Sequence, residues 1–223
     1  FFFKQKTAYE ISTRDWSSDV CSSDLEETEF AYGISVRHID SLGEFLSSRR
    51  DTLTVRGEDL YVDSCIETNE KDSEFVTWLS EARLIKDEFE IAEMQRAIDA
   101  THRGFEDMIR VIPNAVGKKR GERLIEGAFF TRARYEGNDL GYDSIVASGS
   151  HACILHWIRN DGELRNGELI LIDAGVEVES LYTADITRTL PINGKFTPAQ
   201  RKLYTLVYEA QKAGMQAVKE RKS

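Results

Sequence analysis

The stretch ELILIDAGVEVESLYTADITRTL, Glu168 to Leu190, sets two aspartates, Asp173 and Asp185, inside runs that otherwise read as buried strand. Isoleucine and leucine lead into Asp173, and isoleucine, threonine and leucine follow Asp185, as strands prefer. The pattern predicts a β-hairpin. With Val178–Ser180 as its turn, Glu177 faces Leu181, and counting outward about Glu179 brings Asp173 opposite Asp185. Facing residues on antiparallel strands have Cβ atoms ~4.5–5.5 Å apart, and like charges so placed are destabilising. Burial adds to the cost, because an isolated carboxylate in a low dielectric is hard to keep ionised. Either one acid is protonated or a cation sits between them. Divalent ions ~3.5–4 Å apart, bridged by carboxylates, form a common hydrolytic centre. Gly175 and Ala184 leave room beside the acids. Thr187 shares the face of Asp185, two residues on, and is placed to steady a metal-bound carboxylate. The alternative at this point is a hairpin in which one aspartate is exposed or caps a turn.

Working outward, DSIVASG and ACILHWI read as strands before the hairpin, and TPAQRKLYTLVYEAQKAGMQAVKERK reads as a helix after it. That helix opens with Thr197 as N-cap and Pro198 in its first turn, and Leu203, Leu206, Val207 and Ala210 share one face. Upstream, KDEFEIAEMQRAIDATHRGFEDMIRVI repeats its apolar residues near 3.6-residue spacing, carries acids early, and is expected to end at Pro113. KRGERLIEGAFFTRARYEG predicts a second helix, ending at Gly137. Strands in series between helices imply an α+β fold with a largely antiparallel sheet. Further back, SEFVTWLSEARLI is an amphipathic helix and SLGEFLSSRRD a short one after a possible cap at Ser41. EFAYGISVRHI, TLTVRG and LYVDSCI have strand-like spacing. Residues 26–80 are too few for a whole domain of this type and read as the end of an α/β domain.

Residues 1–25, FFFKQKTAYEISTRDWSSDVCSSDL, carry neither period and no signal-peptide core. They resemble the read-through translation of a sequencing adapter and are set aside. A net charge of −10 gives no basic stripe for a nucleic acid, and no apolar run reaches the ~18 residues of a membrane span. Three cysteines at wide, unpatterned spacing fit neither a disulfide framework nor a zinc site, and suit a reducing cytoplasm.

LIDAGVE followed by YTADITRTLPINGKFTPAQRKLY resembles the metal-binding hairpin of the Xaa-Pro aminopeptidases, or aminopeptidases P, within the pita-bread metallopeptidases of family M24. SEARLIKDEFEIAEMQRAIDAT resembles the linker and first helix of that group's catalytic domain, and GYDSIVASGSHACILHW resembles the strand pair that carries its active-site histidine. The resemblance is strong from Glu81 to Glu220 and weak from Glu26 to Ser80. It implies a pita-bread fold represented by its first half, residues 81–223, preceded by a remnant of an N-terminal creatinase-like domain, residues 26–80.

It also implies two divalent ions, manganese foremost with cobalt or zinc as alternatives, held by two aspartates, a histidine and two glutamates. The aspartates match Asp173, chelating one ion, and Asp185, bridging both. His156 matches the family's non-ligand histidine beside the scissile bond, and Tyr142 the lining of the substrate pocket. His151 is unassigned and, on strand parity, faces the surface, while Cys153 reads as a small core residue. The family's remaining ligands follow later in the chain, and this sequence holds no histidine after His156. The chain is therefore expected to be an inactive fragment that binds metal weakly. The implied whole enzyme is cytoplasmic and homo-oligomeric, takes a peptide with proline at position 2, and binds neither nucleic acid nor membrane. A prolidase-type dipeptidase, a methionine aminopeptidase and a non-catalytic peptide-binding module are the competing readings.

Overall fold

Chain contacts divide the computed structural model between Ile85 and Lys86 into two units, and the described residues are 25, 29–30, 33–49 and 51–218. The expected extraneous segment, except Leu25, lies outside the described residues. The first unit holds α1 (Leu42–Ser47), α2 (Leu60–Cys65) and α3 (Asp72–Ala82), and no strand among its described residues. TLTVRG is irregular and LYVDSC is helical, against the strands expected there. The overlooked signal is Asp59, whose carboxylate accepts from the N–H groups of Tyr61 (2.8 Å) and Val62 (2.9 Å). Such a cap contributes ~1 kcal/mol, and six residues are too few to display a period. EFAYGISVRHI is likewise no strand in its described part: Glu29 and Phe30 are helical, and a turn and irregular chain follow. Arg56 ties this unit together. Its Nε donates to the buried Asp72 (2.8 Å) and its terminal nitrogens to the carbonyls of Ile66 (3.0 Å) and Glu67 (2.5 Å).

The second unit runs α4 (Glu88–Ala115), α5 (Gly121–Glu136), β1 (Asp139–Leu140), β2 (Ile145–Ser148), β3 (Leu169–Ala174), β4 (Val176–Glu177), β5 (Ile186–Pro191) and α6 (Pro198–Ala217). Helix α4 starts in a capping box: Asp87 accepts from Glu90 N–H, and Glu90 accepts from Asp87 N–H, both at 2.8 Å. Helix α6 starts in another, between Thr197 and Gln200, with Pro198 in its first turn as expected. Pro113 does not end α4. It lies in the last turn, and the helix runs two residues further, to Ala115.

Strands β2, β3 and β5 form one antiparallel sheet in that order, and β1 pairs antiparallel with β4. The α+β class and its antiparallel sheet are as expected. Alternation decides the faces of the central strand β3. Ile170, Ile172 and Ala174 are buried with Met108 and Ile112 of α4 and Ile125 and Phe129 of α5. Phe105 meets Phe129 edge to face at 6.2 Å, where Gly104 lets the two helices approach. Leu169, Leu171 and Asp173 take the opposite, half-buried face.

The ACILHWI segment is not a strand. A 3-10 turn spans Gly149–Cys153, and His156 has φ 54°, in the left-handed region. Gly149, at φ +56°, turns the chain out of β2, and with the strand goes its parity.

Candidate metal centre

The register of the hairpin differs from the one counted about Glu179. Asp173 faces Thr187, and Glu177 pairs with Thr183, so the hairpin is centred on Ser180. Its loop is Glu179–Leu181, with Leu181 at φ 68° and a bond from Val178 N–H to Tyr182 O of 2.9 Å. Moving the centre by one residue moves each partner by two, and a two-residue shift keeps the face. The aspartates are therefore diagonal neighbours on one face rather than directly opposed. Asp173 is half-buried and Asp185 exposed, so desolvation is smaller than the sequence reading supposed.

Gly175 fixes this geometry. A Cβ there would lie 1.6 Å from the Ala184 carbonyl oxygen, so the returning strand closes on bare backbone. The room that Gly175 provides is for that backbone. Gly141, whose N–H bonds to Gly175 O at 2.8 Å, lays the next residue, Tyr142, over the acids. The Tyr142 hydroxyl donates to Asp173 Oδ1 and lies 3.0 Å from Asp185 Oδ1. Burial first, then these carboxylates, push its phenol far above the ordinary tyrosine range, so it keeps its proton. Thr187 Oγ1 donates to Asp173 Oδ2 at 2.7 Å, so its bond goes to the residue opposite it, not to Asp185. Tyr142, Asp143, Ile145, His156, Ile158, Asp173 and Asp185 line one cavity of 480 Å³.

Two carboxyl groups thus converge on a single hydroxyl, which has one proton to give. No lysine, arginine or histidine among the described residues forms an ion pair with either aspartate. Hard oxygen donors on an open face without a counter-charge fit a divalent cation. They do not complete one: no group of three or more His, Cys, Asp or Glu among the described residues is arranged to hold a metal.

A further carboxylate carried no signal in the sequence. Glu122, on the first turn of α5, is fully buried. Its Oε1 meets Ser148 N–H (2.8 Å), Ser148 Oγ (2.8 Å) and His151 Nδ1 (2.9 Å), and its Oε2 meets Trp157 Nε1 (2.9 Å) and Gly162 N–H (2.7 Å). Burial pushes its carboxyl up, but the bonds from Ser148, Trp157, His151 and Gly162 outweigh it and hold the group below the ordinary range. His151 is half-buried and stacked on Trp157 at 3.9 Å, not a free surface residue. Cys153 is exposed, so it is not a core residue. Glu122 gave no signal because an acid near a helix start ordinarily faces water and favours the dipole there.

The sequence matches metallopeptidase family M24 over residues 92–223. The chain belongs to metallopeptidase family M24. It is 50% identical to Xaa-Pro aminopeptidase 1 of Streptomyces coelicolor over 199 residues, 87% of this chain and 40% of that protein. It is 37% identical to the Xaa-Pro aminopeptidase of Escherichia coli over 164 residues, 68% of this chain and 36% of that protein. Zn-substituted E. coli aminopeptidase P in complex with product superposes with a TM-score of 0.67 at 30% identity, covering 83% of this chain and 46% of that one. Proline aminopeptidase P II from Yersinia pestis gives 0.65 at 31% identity, covering 84% and 47%. The M24 unit therefore has the pita-bread fold in part, and the chain spans about two fifths of the length of the curated relatives it matches. Membership implies a divalent-metal centre. Among the described residues no helix is long and apolar enough to cross a membrane.

Proposed function

We propose that this chain carries part of the active site of a metallo-aminopeptidase that removes the residue preceding a penultimate proline. One observation carries the reading: Asp173 and Asp185 converge on one tyrosine hydroxyl, on an open face, with no cationic side chain paired to either among the described residues. Asp173 and Asp185 would hold the metal, and the remaining donors would come from outside the described residues. Bound divalent ions supply Lewis acidity and lower the pKa of water toward ~7.

The chain's own residues do the rest. Thr187 fixes the rotamer of Asp173 by donating to the oxygen that Tyr142 does not use. Tyr142, fixed in its protonated form, sets the angle between the acids. His156, on the rim of the same cavity, donates a hydrogen bond to the oxyanion that develops on the scissile carbonyl. Manganese as the ion, a cytoplasmic location suited to the free Cys65 and Cys153, and a homo-oligomeric full-length protein complete the proposal. Residues 26–80 are read as part of an N-terminal creatinase-like domain.

The test is an assay of the full-length protein that carries this sequence, loaded with manganese, on Xaa-Pro-Yaa and Xaa-Pro peptides. Cleavage of the tripeptide, lost in Asp173→Asn and Asp185→Asn and reduced ~10²–10³-fold in kcat by His156→Ala, is the expected result. Preference for the dipeptide would assign a prolidase instead. Peptide binding without turnover would assign a binding module.

A further inference from the structure

We propose that Glu122 is the positioning residue for His156, acting through the loop that carries it. The proposal rests on the reading of His156 as the group beside the scissile bond. Residues 149–162 connect β2 to the buried Leu164, and within them only Asn160 and Gly162 are buried. Ile154, Leu155 and Ile158, which flank His156, are 50%, 90% and 50% exposed, so apolar burial does not hold the loop tip. His156 itself sits at φ 54° and Asn160 at φ 47°, left-handed conformations that non-glycine residues keep only when their surroundings impose them.

The constraint is polar and comes from one face of α5. Glu122 holds Ser148 and His151 before the tip and Trp157 and Gly162 after it. One turn on, Glu126 accepts from Asn160 Nδ2 at 2.8 Å, and Asn160 in turn binds Val146 N–H (2.9 Å) and Ser144 O (2.8 Å). Trp157 is next to His156 in sequence, so its indole bond to Glu122 is the nearest side-chain anchor of the histidine. The fit is tight: a Cβ at Gly162 would lie 2.6 Å from both Glu122 Oε1 and His151 Nδ1.

The amides of Ser148 and Gly162 and the indole of Trp157 are obligate donors, so each carboxylate oxygen of Glu122 faces at least one; Ser148 Oγ, also 3.1 Å from Glu163 O, and His151 Nδ1 join them when their protons point that way. The position therefore demands an acceptor-only group. A glutamine cannot comply, because its NH₂ must face either the Trp157 and Gly162 donors or the amide of Ser148. Glu122→Gln is thus nearly isosteric and still sets donor against donor.

The experiment uses the full-length protein labelled with 5-fluorotryptophan, the Trp157 resonance being assigned by its loss in Trp157→Phe. His156 is followed by its rate of carbethoxylation, read by mass spectrometry. Glu122→Gln is expected to move the Trp157 resonance toward the solvent-exposed position and to raise the His156 modification rate at least threefold. It should lower kcat at least tenfold while KM and metal content per chain stay within twofold, and Glu122→Asp should recover part of kcat. Trp157→Phe, which removes the bond to Glu122 and keeps an aromatic ring at the position, should raise the modification rate in the same direction by a smaller factor. That second variant serves if Glu122→Gln does not fold. An unchanged modification rate in Trp157→Phe, or an unmoved indole resonance with normal kcat in Glu122→Gln, overturns the proposal. The resonance and the modification rate need no turnover, so a wild-type protein without peptidase activity would remove the functional reading and leave this test intact.

Discussion

Two acidic sites in the M24 unit make opposite use of the same functional group. Glu122 is fully buried and has five polar contacts, from two backbone amides and three side chains. Asp173 and Asp185 lie on an open face and share one tyrosine hydroxyl, with one further bond from Thr187. A carboxylate surrounded by donors has spent its binding capacity on the fold. Carboxylates that converge with few donors keep that capacity for a ligand. The hairpin tip repeats the first pattern. Ser180 donates to Glu93 at 2.6 Å, Tyr182 donates to Glu90, and Arg96 bridges Glu93 and Glu179. Thr101 joins the base of the hairpin to α4 by accepting from Val176 N–H at 2.9 Å.

The comparison breaks most visibly at Glu122. Glu122→Ala orphans several buried donors at ~1–3 kcal/mol each, so urea denaturation should show a loss of at least ~3 kcal/mol. A loss under ~0.5 kcal/mol, the range of an ordinary surface change, would mean that Glu122 is no anchor. Gly175→Ala comes next. The added methyl has backbone in its way, and overpacking costs ~1–3 kcal/mol. The strain falls on the hairpin, so the bond between Gly141 and Gly175 should lose hydrogen-exchange protection before the α4 core does.

Acid separates the two sites further. The Glu122 carboxyl titrates below its ordinary value in the folded state. Its contribution is therefore complete above ~4.3, the unfolded value, and is lost as pH falls through the folded one. Thermal melts between about pH 5 and pH 3 should lower the Tm of the wild type more than that of Glu122→Gln. Equal slopes would show that the carboxylate is not what the loop depends on.

The smallest effect on stability belongs to the open site. Asp185→Asn should change unfolding free energy by no more than ~0.5 kcal/mol, because the group is exposed, the amide oxygen can keep the contact with the Tyr142 hydroxyl, and the like charge beside Asp173 is removed. The same change should abolish manganese binding. Calorimetric titration of the 223-residue chain itself should find no site tighter than the order of 1 µM, since two carboxylates leave most of ~6 coordination positions to water. A nanomolar site would mean that further ligands have been overlooked.

Local chemistry made much of this legible in the sequence. Helices α4, α5 and α6 follow from the 3.6-residue spacing and early acids of α4, from Thr197 as the cap of α6 and from Gly137 as the stop of α5. The paired aspartates and Thr187 follow from the period of two in the strands, which fixes the face even where the register is miscounted. Two of the errors share a cause. LYVDSC and ACILHWI are short apolar runs, and their conformation is decided by groups outside them: Asp59 caps the one, and Glu122, fixed on α5, pulls the other out of strand.

By itself the sequence determined the helices of the M24 unit and the faces of strands β3 and β5, because those depend on neighbours within a turn or two. Only the tertiary structure decided how each carboxylate is used. Whether an acid is satisfied depends on donors brought from 26 to 40 residues away, as Ser148, Trp157 and Gly162 are brought to Glu122. No period or propensity encodes that meeting; chain closure around a shared core does.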